Sequence, residues 1–224
     1  MEKNLHLAII CDGNRRWAKA RGMMPWDGHR IAIENFRAIG DWCKDHPRIG
    51  TLTLWAFSTE NWKRDEAEVK ELMCLFEWFM KKEIDHIVEQ RTRFIHQGRK
   101  DRIPSSLRDL FADAEERTKH FTDFTIQLAI DHGGKDEIVR AVSRIPAGTS
   151  VTEEAIAANL DHPEVPDVDF VIRTSGEIRT SGFQLWKGAY AEWYFAEYHF
   201  PDLTPEKLQE ALDEFDRRKR RFGK

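Results

Sequence analysis

Short apolar runs alternate with longer amphipathic stretches along the whole chain. Leu5–Cys11 (LHLAIIC), Thr51–Phe57 (TLTLWAF), Thr92–His96, Phe124–Ile130 (FTIQLAI), Val168–Ile172 and Tyr190–Phe195 read as strands, mostly rich in β-branched or aromatic residues. Between them, apolar positions recur at helical spacing. Ile31, Ile33, Phe36, Ile39 and Trp42 predict a helix from Asp27 to about Lys44. Val69, Leu72, Met73, Phe76, Phe79 and Met80 predict a long one over Asp65–Gln90. Further helices are expected at Pro104–Lys119, Asp136–Ser143, Thr152–Asn159 and Pro205–Arg218. Strands separated by helix-sized intervals imply right-handed βαβ crossovers. The expected fold is therefore α/β, one domain over residues 1–224, with a central, mainly parallel six-stranded sheet flanked by helices.

Composition narrows the class. With 224 residues and 41% apolar content, the chain can build a substantial core. Its 35 basic and 39 acidic residues leave a net charge of −4, so no nucleic-acid partner is expected. No apolar run approaches the 18 residues of a membrane span. The first apolar run is too short for a signal peptide, and three widely spaced cysteines, Cys11, Cys43 and Cys74, suit a reducing compartment. A cytoplasmic location is the resulting expectation.

In open parallel sheets, ligands bind beyond the carboxyl ends of the strands. Three predicted strand ends carry polar clusters. Cys11-Asp12-Gly13-Asn14-Arg15-Arg16-Trp17 can turn sharply and present free backbone N–H groups to an anion, with arginines beside them. A carboxylate at such a place makes sense if Mg²⁺ lies between it and the anion; a helix-capping Asp in a surface turn is the plainer reading. Phe57-Ser58-Thr59-Glu60-Asn61-Trp62-Lys63-Arg64 is either a polar site wall or a helix N-cap box. Arg173-Thr174-Ser175-Gly176-Glu177-Ile178-Arg179-Thr180-Ser181 is either an oxyanion cradle, because Arg forks match phosphate oxygens, or a solvated loop. Glu192, the one charge in Tyr190–Phe195, would be paired or metal-bound if buried.

Other signals fail. Gly133-Gly134-Lys135 lacks the glycine and hydroxyl of a phosphate loop, and no Cys or His pair has zinc-finger spacing. The basic run Arg217–Arg221 reads as a helix end complementing its dipole, with subunit or anionic-lipid contact as the alternative.

Taken together, the clusters resemble the cis-prenyltransferases, the undecaprenyl diphosphate synthase family. The resemblance covers Asp12-Gly13-Asn14-x-Arg16-Trp17-Ala18, Gly28-His29, Phe57-Ser58-Thr59-Glu60-Asn61-Trp62 with Arg64, and Gly133-Gly134. It continues through Ile172-Arg173-Thr174-x-Gly176-Glu177-x-Arg179-x-Ser181-x-Phe183, Tyr190-Ala191-Glu192-x-Tyr194-Phe195 and Arg220-Arg221-Phe222-Gly223. Several long motifs in one order are far more specific than any cluster alone.

The resemblance implies a homodimeric, Mg²⁺-dependent enzyme adding isopentenyl diphosphate repeatedly to a farnesyl- or geranyl-type allylic diphosphate, with Z double bonds. An undecaprenyl-like diphosphate for a cell-envelope lipid carrier is the expected product, with peripheral contact to the membrane. Short-chain and branched-product relatives, and a noncatalytic partner subunit, are the alternatives. By the same resemblance, Asp12 would hold the metal with Glu192 as second contributor. Gly13, Asn14, Arg15, Arg16, Trp17 and His29 would hold the allylic diphosphate. Arg173, Arg179, Thr180 and Ser181 would hold isopentenyl diphosphate. Asn61 would assist proton removal by positioning, flanked by Ser58, Thr59, Glu60, Trp62 and Arg64. An apolar tunnel between sheet and helices would take the growing tail, walled by Ala56, the Leu72–Met80 face and Ile126–Ile130. Phe79 and Met80 would act there as a stop or be ordinary core. Pro25 and Ile178 depart from an Arg and a His found in other members. No Asp-Asp dipeptide of a trans-type synthase occurs.

Overall fold

The computed structural model describes residues 3–218. Arg217 and Arg218 of the basic run fall inside this range; the Arg220–Gly223 motif lies outside it. Six strands form one sheet: β1 (Leu5–Ile10), β2 (Ile49–Ser58), β3 (Arg93–Gln97), β4 (Thr125–His132), β5 (Phe170–Arg173) and β6 (Glu192–Phe195). Their spatial order is β3-β4-β2-β1-β5-β6, and every pairing is parallel. The helices are α1 (Asn14–Ala20), α2 (Pro25–Asp45), α3 (Glu66–Glu89), α4 (Ser105–Thr118), α5 (Gly134–Arg144), α6 (Glu153–Ala158) and α7 (Pro205–Arg217).

Strand β1 is buried at every position, as a central parallel strand should be. Leu7 and Ile9 belong to the larger core, with Phe36 and Ile39 of α2, Phe76 and Met80 of α3, Phe111 of α4 and Leu208 of α7. Ala8 and Ile10 belong to a smaller core with Trp55, Val171 and Phe183. The alternation follows from the two-residue period of a strand. Phe36 meets Phe79 and Phe200 edge-on, each at 5.7 Å between ring centroids, which adds about 0.5–1.5 kcal/mol per pair beyond burial.

All six predicted strands are present. Two helical features differ from expectation. Asn14–Ala20 forms a helix of its own, and α2 begins at Pro25 rather than Asp27. Proline suits a first helical position, and Asp27 reaches back to accept a hydrogen bond from the Met24 N–H at 3.1 Å. The Asp65 side chain caps α3, accepting from Ala67 N–H at 3.0 Å and Glu68 N–H at 3.4 Å. No helix is long and apolar enough to cross a membrane among the described residues.

β1 has β2 on one side and β5 on the other, so the strands are added outward in opposite directions from β1. The crevice of such a sheet opens at that strand's carboxyl end.

Candidate active site

The chain leaves β1 at Ile10 and is pinned at once. The Asp12 N–H donates to the Thr174 hydroxyl at 3.0 Å, and that hydroxyl is 2.8 Å from the Asp12 carbonyl. Gly13 then adopts φ +94°, in the left-handed region, and α1 starts at Asn14. A Cβ at Gly13 would lie 2.4 Å from Ser175 Oγ and 2.5 Å from His199 Nδ1, two atoms already hydrogen-bonded at 2.7 Å. Only glycine satisfies both the angle and the space. Helix α2 crosses just as closely: a Cβ at Gly28 would come within 2.1 Å of the Asn14 carbonyl oxygen. That approach sets His29 against the start of α1.

Across the sheet, β5 pairs in register with β1, Arg173 opposite Ile10. Arg173 is 4% exposed. Its guanidinium donates to Asp12 Oδ2 at 2.9 Å, to Ser181 Oγ at 2.8 Å and to the Arg179 carbonyl. Asp12 Oδ1 also lies 3.5 Å from Arg16, and Arg16 donates to Glu177 at 2.9 Å. Arg179 pairs with Glu177 as well, so Glu177 links the two arginines. Hydrogen bonding from Arg179, with Arg16 nearby, holds the Glu177 carboxyl below its ordinary range.

The opposite wall comes from β2 and the 3₁₀ turn Thr59–Lys63. The Ser58 N–H donates to Asn61 Oδ1 at 3.0 Å. That bond uses one lone pair of the Asn61 side-chain oxygen, and its NH₂ group is left as a donor. Glu68 of α3 gathers Arg64 at 3.0 Å, Arg15 at 3.4 Å and His29 at 3.8 Å. Burial, followed by the positive charge of Arg64, lowers the His29 pKa to about 4, so its imidazole is neutral at pH 7. Burial pushes the Cys11 thiol well up, which leaves it unreactive.

These walls enclose a cavity of about 650 Å³. Asp12, Gly13, Asn14, Arg15, Arg16, His29, Ser58, Asn61, Arg64, Arg173, Arg179 and Ser181, all singled out in the sequence, line it. Asn14 Oδ1, His29 Nε2 and Arg173 Nε are buried there without hydrogen-bond partners. Such atoms point to a polar ligand, because buried polar groups are otherwise paired.

Six other expected site residues are placed differently. Trp17 turns away: its indole N–H donates to Asp202 at 2.7 Å and Arg21 stacks on its ring, so it ties α1 to the Phe200–Asp202 turn. Trp62 packs edge-on against Phe57 and beneath Arg102. Thr59 packs on Gly133, where a Cβ would lie 2.5 Å from its hydroxyl. Glu60 and Thr180 are exposed and outside the cavity wall. Glu192 opens β6 in register with Phe170, at the amino edge of the sheet. It pairs with Arg218 at 3.3 Å, five strand residues or about 16 Å along the sheet from the level of Asp12. Within one chain, Glu192 does not join Asp12.

Sequence reasoning counts Lys19 only as positive charge near the first cluster, and it passed over Met23 and Trp55 as lining residues and Glu68 as the hub beneath the arginines. Lys19 was traceable, lying three to four residues beyond Arg15 and Arg16 on α1. Glu68 had the weaker signal of an i,i+4 partner to Arg64.

A parallel sheet whose carboxyl edge collects arginines, one carboxylate and unpartnered polar atoms around a cavity defines an anion-binding α/β enzyme. The undecaprenyl diphosphate synthase family model matches residues 10–223. An isoprenyl transferase of Treponema pallidum (strain Nichols) is 45% identical, covering 97% of this chain and 98% of its own. Isoprenyl transferase 1 of Bradyrhizobium diazoefficiens is 41% identical, covering 99% of this chain and 90% of its own. Lavandulyl diphosphate synthase from Lavandula x intermedia, solved with dimethylallyl diphosphate, superposes with a TM-score of 0.92 at 32% identity, covering 99% of each chain. A probable undecaprenyl diphosphate synthase from Campylobacter jejuni gives 0.84 at 33% identity over the full length of both. The chain belongs to the undecaprenyl diphosphate synthase family, and it is a prenyltransferase.

Proposed function

We propose that the enzyme condenses isopentenyl diphosphate repeatedly onto an allylic diphosphate, forming Z double bonds. The carrying observation is the polar crevice itself: Asp12 faces a cavity ringed by Arg16, Arg173 and Arg179 and by the unpartnered atoms of Asn14, His29 and Arg173. In each cycle the allylic C–O bond breaks with its electron pair leaving on diphosphate. The isopentenyl double bond supplies the new C–C bond, and its C2 loses a proton.

The N–H groups opening α1, with Arg16 and neutral His29, hold the allylic diphosphate. Arg173, Arg179 and Ser181 hold the isopentenyl diphosphate. Mg²⁺ suits a single carboxylate combined with substrate phosphate oxygens, which is what Asp12 offers; when bound, it neutralises charge on the leaving group. Asn61 presents a donor rather than a base, so it positions the isopentenyl group while a diphosphate oxygen or water takes the proton.

The growing tail runs between the sheet and α2–α3. A second cavity of about 40 Å³ lies there, lined by Phe36, Leu54, Phe79, Ile126 and Leu128 among others. Each methylene that enters contributes about 0.8 kcal/mol. A homodimer is supported by the exposed apolar side chains of Ile178 (78%), Leu185 and Tyr190 (79%) on the segment between β5 and β6. The likeness to lavandulyl diphosphate synthase raises a branched product as the second reading; the intact Ser58-Thr59-Glu60-Asn61-Trp62 element favours linear elongation.

Asp12→Ala tests the assignment. Turnover is expected to fall about 10²-fold or more, as for loss of a principal charge stabiliser. Near-normal Mg²⁺-dependent turnover in that variant removes Asp12 from the metal site.

A further inference from the structure

Beyond the diphosphate cavity, the carboxyl end of β4 leads into a buried cluster that the reaction leaves unused. His132 ends β4, Glu137 lies in the first turn of α5, and Asp161 follows α6. One ring nitrogen of His132 and one carboxylate oxygen from each acid lie within 4.8 Å of one another. His132 is fully buried, yet neither ring nitrogen has a hydrogen-bond partner. A ring placed between two carboxylates would close to about 3 Å if it bonded either directly. It stands back instead.

Glu137 is 2% exposed, and its Oε1 receives only two long hydrogen bonds, 3.3 Å from Gln97 and 3.3 Å from the Asp161 N–H. Among the described residues, no cation lies within ion-pair distance of it. Arg140 and Arg144 are committed to Asp161, Arg99 and Arg140 to Asp136, and the Lys187 ammonium donates to the Val165 carbonyl. A buried carboxylate with no cation in ion-pair reach and an imidazole with no hydrogen-bond partner are therefore neighbours in one cluster.

We propose that His132, Glu137 and Asp161 bind a divalent transition-metal ion of the zinc class, with water completing its shell. Bonds of about 2.0–2.2 Å in a tetrahedral shell bring donor atoms to about 3.4 Å apart, so the three side chains close in from separations of up to 4.8 Å as the ion binds. The imidazole selects a borderline ion of this kind over Mg²⁺, whose preferred ligands are all oxygen. Burial lowers the His132 pKa and keeps the ring neutral, the form that ligates. Arg140 and Arg144 orient Asp161 from outside: Oδ1 accepts from both, while Oδ2 accepts only from Arg140, at 2.7 Å, and keeps a lone pair.

The site would join β4, α5 and the segment after α6. The His132 ring also stands edge-on to Phe183 at 6.0 Å and to Trp55 at 6.4 Å. Phe183 lies two residues beyond Ser181, so the ion would brace the floor beneath the Arg179–Ser181 loop.

The test is a Co²⁺ titration of untagged Asp12→Ala protein, which lacks the carboxylate of the diphosphate cavity. One Co²⁺ per chain with a visible d–d band, displaced by Zn²⁺, is expected. In the same background, His132→Gln and Glu137→Gln are each expected to weaken Co²⁺ binding at least tenfold and to abolish the band. An Asp12→Ala chain that binds no Co²⁺ overturns the proposal, as does binding unchanged in both variants. If His132→Gln does not fold, as judged by circular dichroism, Glu137→Gln decides alone.

Discussion

Arg173 is the residue whose removal most sharply separates binding from folding. Its guanidinium serves Asp12, Ser181 and the Arg179 carbonyl from a nearly buried position at the end of β5. In Arg173→Ala, isopentenyl diphosphate loses a charged donor fork. One hydrogen bond to a charged group is worth about 1.5–3 kcal/mol, and 1.4 kcal/mol is tenfold in affinity. The KM for isopentenyl diphosphate should therefore rise about 10- to 150-fold.

The stability cost is smaller than for a fully buried pair, about 3–5 kcal/mol, because Asp12 is partly open to water and retains Arg16 at 3.5 Å. A loss of about 1–2 kcal/mol corresponds to about 2–8 °C in Tm for a chain of this size. The assay is steady-state kinetics with each diphosphate varied in turn, alongside a thermal melt. Arg173→Lys, which keeps charge but not the fork, should fall between the two. An unchanged isopentenyl diphosphate KM in a folded Arg173→Ala enzyme refutes the cradle assignment.

Other consequences can be checked independently. Phe79→Ala removes a buried ring lining the smaller cavity and should cost about 3–5 kcal/mol while lengthening the products; identical product lengths return Phe79 to the core. Trp17→Phe should lose about 1 kcal/mol, the hydrogen bond to Asp202, and leave both KM values near wild type; a large KM change would put Trp17 back in the site. His6, His29 and His96 each have pKa values lowered to about 4 by burial. The unfolded chain then binds more protons between pH 6.5 and 4, so their stabilisation is complete above about 6.5 and is lost as pH falls through that window, by about 3 kcal/mol for each. Urea melts from pH 7 to 4 measure it, and a flat stability profile contradicts the burial of neutral rings.

Much of this architecture is written locally in the chain. The strands were legible because β-branched and aromatic runs such as Thr51–Phe57 sit between turn formers, and α3 because its apolar face, Val69 to Ile87, spans about five turns. Helix α1 was harder to see. It is seven residues long, buries Trp17 and Ala18, and is held by Gly13 and the crossing at Gly28, which are tertiary features. The Asp12, Arg16, Arg173, Arg179 and Ser181 group was legible as types at strand ends, and the sheet register brings it together. Trp17, Trp62 and Glu192 show where motif adjacency misleads. Neighbours in sequence alternate faces or stand at opposite ends of a strand, so Glu192 opens β6 while the cavity lies beyond the other end. His132, Glu137 and Asp161 meet through three different elements, with no short-range spacing to signal it.

The central claim is tested most directly by incubating the enzyme with labelled isopentenyl diphosphate and farnesyl diphosphate, with and without Mg²⁺, and determining product length, branching and double-bond geometry. The account predicts Mg²⁺-dependent incorporation into a linear diphosphate whose added units carry Z double bonds. No incorporation, or a branched condensation product, would contradict it.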